Sequence, residues 1–437
     1  MLHAGFAKVD ITPPMNVWLS GYAARTSPAI GIHDELHACA LVMSDGERKA
    51  AVVSLDLIGL DFELVDTTRA LVSDWVGIDN DALLLNCSHT HSGPSVSSLR
   101  AMGDVNKAYV QLLPMKIATA VKLASEQMRP AKVLLGICEG AVGMNRRERK
   151  PNGSIQLGKN PEGVIDPNVY VLRFDGEDGK TLGLVMHHAA HPVVLGPSNL
   201  LVSADYPGVA VRAVESVLGG NVTAMFLQGC CGNINALRER QTFDECEMVG
   251  IAFAGAVLRA FAFAQEIKPL PLLSKRQMLQ LPLTPPPMEE VERTLDVYSK
   301  ELNEARQAGN EAKERIASAM LSWAEKAKES LASGCEQRMQ PFDVTILRLG
   351  EIAIVGLSGE VFIEYALNIR KASPFKETLV LGYTNGCIGY VPTESAFSEG
   401  GYEVDTAYKY YGTFMLSPKC EQIILSEVKT MLDELAH

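Results

Sequence analysis

Short runs of apolar, β-rich residues recur along this chain, and each gives way to polar or glycine-broken sequence. The runs are Ala38–Met43, Ala50–Leu55, Ala82–Asn86, Val133–Ile137, Val169–Phe174, Leu182–His187, Thr223–Leu227, Ile352–Leu357 and Thr378–Gly382. Several are nearly continuous in apolar residues, the pattern of strands buried on both faces. Between them lie stretches of helical periodicity: Leu64–Val76, Tyr109–Gln127, Tyr206–Val217, Glu245–Ala264 and Gly359–Lys371, with a last helix near Cys420–Leu435. This alternation predicts an α/β fold, with central mixed β-sheets flanked by helices. No repeat of about 20–50 residues is present, so repeat architectures are excluded.

One segment departs from the pattern. Pro285-Pro286-Pro287 opens a run, Met288–Ala332, rich in Ala, Glu and Lys and poor in β-branched residues. It predicts a helical hairpin over residues 285–335, turning at Gly309-Asn310. The sequence on both sides reads as sheet, so the hairpin is an insertion within one catalytic domain spanning residues 1–437. It is expected to be an exposed insertion, with a lid or a homo-oligomer contact as the functional alternatives.

Bulk properties narrow the function. The net charge is -12 and the basic residues are scattered. Nucleic-acid binding needs a basic face to neutralise phosphates, so no nucleic-acid partner is expected. No apolar run reaches the ~18 residues of a membrane helix, so no membrane insertion is expected. The N-terminus lacks a basic stretch followed by an apolar core, which predicts no signal peptide and a cytoplasmic home. The nine cysteines include no CxxC pair and sit largely in apolar segments, as free buried thiols do.

The chemistry gathers where the apolar runs end. In Asn86-Cys87-Ser88-His89-Thr90-His91-Ser92-Gly93-Pro94, strand alternation would aim His89 and His91 at one face. Two imidazoles so placed form half of a metal site. Met186-His187-His188-Ala189-Ala190-His191-Pro192 holds three of the nine histidines. His187 and His188 are expected to pack at the strand end, and His191 to be a ligand. Asp205 either caps the following helix or orients a metal-bound histidine from behind. Gln228-Gly229-Cys230-Cys231-Gly232-Asn233-Ile234-Asn235 is a glycine-broken loop whose backbone N–H groups could hold an oxyanion. No basic residue neighbours Cys230 or Cys231 in sequence, so both read as inert thiols. Gly359-Glu360 places a carboxylate at a helix start, and tyrosines lie in the glycine-rich segments Gly382–Thr393 and Gly400–Glu403.

Taken together, these motifs resemble the neutral/alkaline, non-lysosomal ceramidase family. The resemblance runs from Gly5 to about Tyr411. It rests on Val9-Asp10-Ile11-Thr12-Pro13, Gly21-Tyr22-Ala23, Gly31-Ile32-His33-Asp34, Ser88–Pro94, Asn145-Arg146, Asn160-Pro161, His191-Pro192 with Asp205, Gly359-Glu360 and the Tyr390/Tyr402 pair. It implies a neutral-ceramidase catalytic-domain-like fold and a catalytic zinc held by His89, His191, Glu360 and Tyr390, with water as the alternative to Tyr390. It further implies that His91 lies beside the metal as a proton donor, that Arg146 lies near the substrate, and that Tyr402 supports Tyr390. Asn145, Asp205 and Gly232 are expected around the substrate or behind the ligands.

Two departures from the family pattern shape the functional expectation. Asn235 stands where the family carries a serine, which points away from ceramide as substrate. No C-terminal immunoglobulin-like domain is expected, because the chain ends soon after Tyr411. The expected function is zinc-dependent hydrolysis of an amide or ester bond, an N-acyl bond included, in a small-molecule substrate. The alternatives are a zinc-dependent lyase or isomerase acting on a carbohydrate-like substrate, and a non-catalytic ligand-binding protein on the same fold.

Overall fold

The apolar runs pair into two main sheets. The fold is that of a computed structural model, which describes residues 1–97, 99–334 and 338–437. The larger sheet follows the path Thr223–Gln228, Thr181–His188, Asn168–Gly176, Arg129–Glu139, His3–Asp10, His37–Ser44, Lys49–Leu55 and Leu83–Cys87, with Gln265–Ile267 added beside Arg129–Glu139. Its outermost pairs are parallel and its middle is antiparallel. The sheet coils until its two edges meet: Gln228 N–H donates to Asn86 Oδ1 at 2.7 Å, and Asn86 Nδ2 donates to Gln228 O at 3.2 Å. Closing the edges in this way satisfies backbone groups that an open sheet would leave bare.

The smaller sheet runs Glu377–Leu381, Ile352–Leu357, Met339–Leu349, Leu272–Thr284 and Met415–Leu416. Glu377–Leu381 and Ile352–Leu357 are parallel, and their ends run into the seam of the larger sheet. Gly229 bridges Leu381 there, and Asn86 bridges Thr384. A buried charge cluster adds a second tie. Asp343 accepts from Arg69 of the helix Phe62–Val76 at 3.2 Å and from Arg276 at 2.6 Å. Asp343 and Arg69 are both buried, and removing Asp343 would take away the carboxylate that Arg69 and Arg276 share.

This architecture is the mixed-sheet α/β fold expected from the apolar patterning. The strand His3–Asp10 went unpredicted because its large apolar residues are few, Phe6 and Val9, and it carries Lys8 and Asp10 at its end. The expected helix from Gly359 begins later, at Ile363, because Glu360–Val361 forms a two-residue parallel pairing with Tyr390–Val391.

The hairpin comprises helices Met288–Gln307 and Glu311–Ser333. Gly309 has φ 61° at the turn, and the Asn310 side chain caps the second helix by accepting from Lys313 N–H. The last residue of the expected insertion, Cys335, lies outside the described residues. One hairpin face is buried against the chain itself. Trp323 Nε1 donates to Thr413 O at 2.9 Å, and Arg315 lies 4.4 Å from the Trp18 ring. The hairpin therefore backs two segments, Trp18–Arg25 and Tyr408–Thr413, that reach the site described next.

Candidate metal centre

Five strands from the parallel pairs of the two main sheets, Leu83–Cys87, Thr181–His188, Thr223–Gln228, Ile352–Leu357 and Glu377–Leu381, send their C-terminal loops to one place. Sites of α/β proteins collect at such strand ends. The loops deliver His89, His191, the Gly229–Asn235 turn, Glu360 and Tyr383.

His89 and His91 do not alternate along a strand, as their spacing suggested. The strand stops at Cys87, and His89 lies in the left-handed region at φ 66°. Such a conformation costs a non-glycine residue about 1–3 kcal/mol, and here the surrounding structure enforces it. His89 N–H donates to Leu57 O at 2.9 Å, and Ser88 N–H donates to Leu55 O at 2.8 Å. The turn brings His89 Nε2 and His91 Nε2 to 3.3 Å.

His191 also lies beyond its strand. Its N–H donates to Ile234 O at 3.0 Å, and its peptide bridges Asn235 in parallel. Its Nδ1 donates to Cys231 O at 2.6 Å and shares Ile234 O at 3.0 Å. His89 Nδ1 likewise donates to Ile58 O. Both rings therefore carry their proton on Nδ1 and turn a bare Nε2 inward.

Glu360 completes the cluster. Its Oε2 lies 3.1 Å from His191 Nε2 and 3.3 Å from His89 Nε2. Burial by itself would raise the Glu360 carboxyl, but His89 and His191 hold it well below the usual carboxylate range. Burial, with the nearby Arg146 charge, pushes His191 down to about 3, so its ring is neutral. Three acceptors with no hydrogen between them thus converge in a buried space. A cation resolves that repulsion, so the donor set fits a divalent metal of the nitrogen-and-oxygen-binding kind. The imidazole nitrogens of His89, His91 and His191 all lie within 4.8 Å of one another.

Glycine is required beneath the cluster. A Cβ on Gly232 would sit 2.3 Å from Glu360 O, and Gly232 N–H donates to Val361 O at 2.8 Å. Within the same loop, the Gln228, Gly229 and Ile234 N–H groups bond to Asn86 Oδ1, His188 O and Cys231 O, so these three are not available to an oxyanion. The Cys230 and Cys231 thiols are buried, which raises their pKa and keeps them protonated.

Arg146 reaches the site because the strand Gly143–Arg149 carries a bulge between Asn145 and Arg147, which re-aims the intervening side chain. Its Nη1 lies 3.3 Å from both His191 Nε2 and Asn235 Oδ1. Asn145, expected around the substrate or behind the ligands, bonds within the bulge beside Arg146. Its Oδ1 accepts from Arg147 N–H and its Nδ2 donates to Val164 O, so it holds the bulge.

Asp205 does not reach a histidine ring; at φ 56° it stands at the helix start, and its Oδ1 accepts from Tyr206 N–H at 2.7 Å. It is the first residue of the helix Asp205–Val217, and its Oδ2 accepts from Leu195 N–H at 3.0 Å, tying down the chain that follows His191. His187 and His188 pack at the strand end, bonding to Leu227 O and Asn168 O.

Tyr390 and Tyr402 both line the cavity, with ring centroids 5.8 Å apart. The Arg146 guanidinium lies 5.2 Å from the Tyr390 ring centroid. Two other tyrosines touch Glu360. Tyr411 OH donates to Oε1, and Tyr383 OH donates to Oε2 at 3.4 Å while its ring stacks on His89 at 4.1 Å. Neither was singled out from the sequence. The glycine-rich context of Tyr383 was visible, but its contact with Glu360 depends on long-range pairing. Tyr22, on the Trp18–Arg25 segment, packs edge-on against His91 at 4.8 Å.

The cluster lies at the end of a cavity of about 930 Å³, walled by Leu99, Met102, Met144, Met248 and Val249 among others. Leu157, Leu237 and Met248 are also exposed, so they mark its mouth.

Comparison with known proteins places the chain in context. Residues 2–247 match the family described as neutral/alkaline non-lysosomal ceramidase, N-terminal. A neutral ceramidase of Pseudomonas aeruginosa is 23% identical over 470 residues, covering 91% of this chain and 68% of that protein. One of Mycobacterium tuberculosis is 22% identical, covering 92% and 73%. The match to neutral ceramidase 1 of Arabidopsis thaliana is 26% identical over 226 residues and spans 28% of that protein. The crystal structure of the neutral ceramidase from Pseudomonas aeruginosa superposes with a TM-score of 0.77 at 20% identity, covering 99% of this chain and 74% of that one.

Proposed function

This chain belongs to the neutral/alkaline non-lysosomal ceramidase family of amide hydrolases, and on that premise we propose that it is a zinc-dependent hydrolase of an N-acyl amide or ester other than ceramide. The observation that carries the reading is the convergence of His191 Nε2 and His89 Nε2 on Glu360 Oε2, at 3.1 and 3.3 Å. We assign these three as ligands, with Tyr390 or water in the remaining position. A zinc ion held by these residues would supply activation of water as a nucleophile and polarisation of a carbonyl.

The chain's own groups supply the rest. The carbonyls of Ile58, Cys231 and Ile234 fix the ligand tautomers. Tyr383 and Tyr411 hold Glu360 in place. Burial, reinforced by His89 and His191, keeps His91 neutral, and its Nδ1 has no hydrogen-bond partner. That ring is placed to take a proton and pass it to a leaving amine or alcohol. Arg146 and Asn235 face the same space and donate to the acyl oxygen. The apolar cavity walls suit an acyl chain. Asn235 in place of a serine supports a substrate other than ceramide.

No helix among the described residues is long and apolar enough to cross a membrane. The eight described cysteines are free, which accords with a reducing, cytoplasmic compartment.

The test is metal analysis of protein purified without chelator, followed by a screen of N-acyl amides, short esters and ceramide. About one zinc per chain and chelator-sensitive cleavage of an amide or ester are expected. Cleavage that survives complete removal of metal overturns the metal assignment. Ceramide as the best substrate overturns the substrate assignment. Solvent oxygen appearing in a carboxylate product separates hydrolysis from a lyase or isomerase reaction.

A further inference from the structure

Glu403 is buried, only 1% exposed, and sits between two guanidinium groups. Its Oε1 accepts from Arg146 Nε at 2.9 Å and its Oε2 from Arg147 Nη1 at 2.9 Å. The two arginines differ in what else holds them. Arg147 also donates to Glu399 Oε2 at 3.2 Å and to Gly400 O at 2.8 Å. Arg146 has no other carboxylate in hydrogen-bond contact. Its Nη1 faces His191 Nε2 and Asn235 Oδ1, the Tyr390 hydroxyl also interacts with the guanidinium, and its buried Nη2 has no partner at full hydrogen-bond geometry.

An unpartnered N–H inside a protein is costly and needs a reason. Here the free edge belongs to a cavity-lining residue beside the cluster, where an acyl oxygen would lie under the function proposed above. We propose, resting on that function, that Glu403 is the positioning residue for Arg146. It holds the guanidinium against His191 and Asn235 with one edge left for a substrate oxygen. A bound cation would repel an unanchored guanidinium, and the Glu403 carboxylate opposes that displacement. Arg147 is the structural member of the trio, tying Glu403 to the Glu399–Gly400 turn.

The experiment compares Glu403→Gln with Arg147→Met in the zinc-loaded full chain. Both remove one partner from the same buried network. Hydrolysis of a chromogenic N-decanoyl anilide and calorimetric binding of decanoate, a carboxylate with the product's chemistry, are measured alongside zinc content. Glu403→Gln is expected to lower kcat and weaken decanoate binding by about 10–100-fold, with KM and zinc content little changed. Arg147→Met is expected to keep both kcat and decanoate affinity within about 3-fold. Equal losses in the two variants, or wild-type kcat in Glu403→Gln, overturn the proposal. Should Glu403→Gln fail to fold, Arg146→Gln/Glu403→Gln removes both opposing charges and is compared with Arg146→Gln. Equal kcat in that pair supports the proposal, and a further loss overturns it. A wild-type protein that neither cleaves the anilide nor binds decanoate contradicts the hydrolase reading itself.

Discussion

Glu360 Oε2 stands 3.1 Å from His191 Nε2, two acceptors facing each other in a buried space with no proton assigned between them. His191 spends its only ring proton on backbone carbonyls behind it, so its Nε2 faces the carboxylate as an acceptor, with Arg146 Nη1 3.3 Å away, and is free to ligate a metal. His191→Ala should therefore weaken zinc binding by at least about 100-fold and abolish activity with it. Chelator competition with metal analysis checks the first part, and full activity in a zinc-free variant would refute it.

Tyr411 braces the same carboxylate from the other side. Tyr411→Phe keeps the ring and deletes the donor to Oε1. It should cost about 1 kcal/mol of stability and about 10–100-fold in zinc affinity. Chemical denaturation and zinc titration report the two separately. An unchanged zinc affinity would show that Glu360 needs no brace.

The close approach at Gly232 predicts a steric effect. Gly232→Ala places a methyl group 2.3 Å from a backbone oxygen, which has no rotamer by which to yield. The loop must shift and carry Glu360 with it. A loss of about 1–3 kcal/mol in stability is expected, together with weaker zinc binding. Thermal melts of the zinc-free and zinc-loaded forms should differ less in the variant than in the wild type.

The hairpin should matter to the site through Trp323, which is buried and donates to Thr413 O two residues beyond Tyr411. Trp323→Ala should destabilise by about 3–5 kcal/mol. It should also reduce kcat, because the Tyr408–Thr413 segment loses its backing. A destabilised variant with unchanged kcat, measured well below its Tm, would confine the hairpin to a structural role.

Asp56 gives the molecule a pH signature away from the metal. Burial raises its carboxyl to about 7, even though its Oδ2 accepts from His37 N–H. The folded state then holds a proton that the unfolded chain releases near the ordinary carboxylate value. Stability from this group is full below about pH 4 and falls as pH rises toward 7, by at most about 4 kcal/mol. Asp56→Asn should flatten that slope and be the more stable form at pH 8. Urea denaturation at pH 4.5 and pH 8 measures both, and parallel curves for the two proteins would rule the effect out.

The apolar runs and helical periodicity by themselves determined the class of fold and most element positions. Long buried strands leave an unmistakable pattern, because every side chain on both faces must be apolar. The histidine-rich loops, Glu360 and the glycine-embedded tyrosines also stood out, since polar residues at strand ends have little else to do. What only the tertiary structure decided is how those pieces meet. His89 and His91 come together through a left-handed turn held by Leu55 and Leu57, a long-range bond that no local spacing encodes. Arg146 is aimed by a bulge, and Asn145 bonds within that bulge. Tyr383, Tyr411 and Glu403 act through residues between 23 and 257 positions away in the chain. Sequence periodicity reports what a residue's own element needs, whereas a site of this kind is defined by contacts between elements.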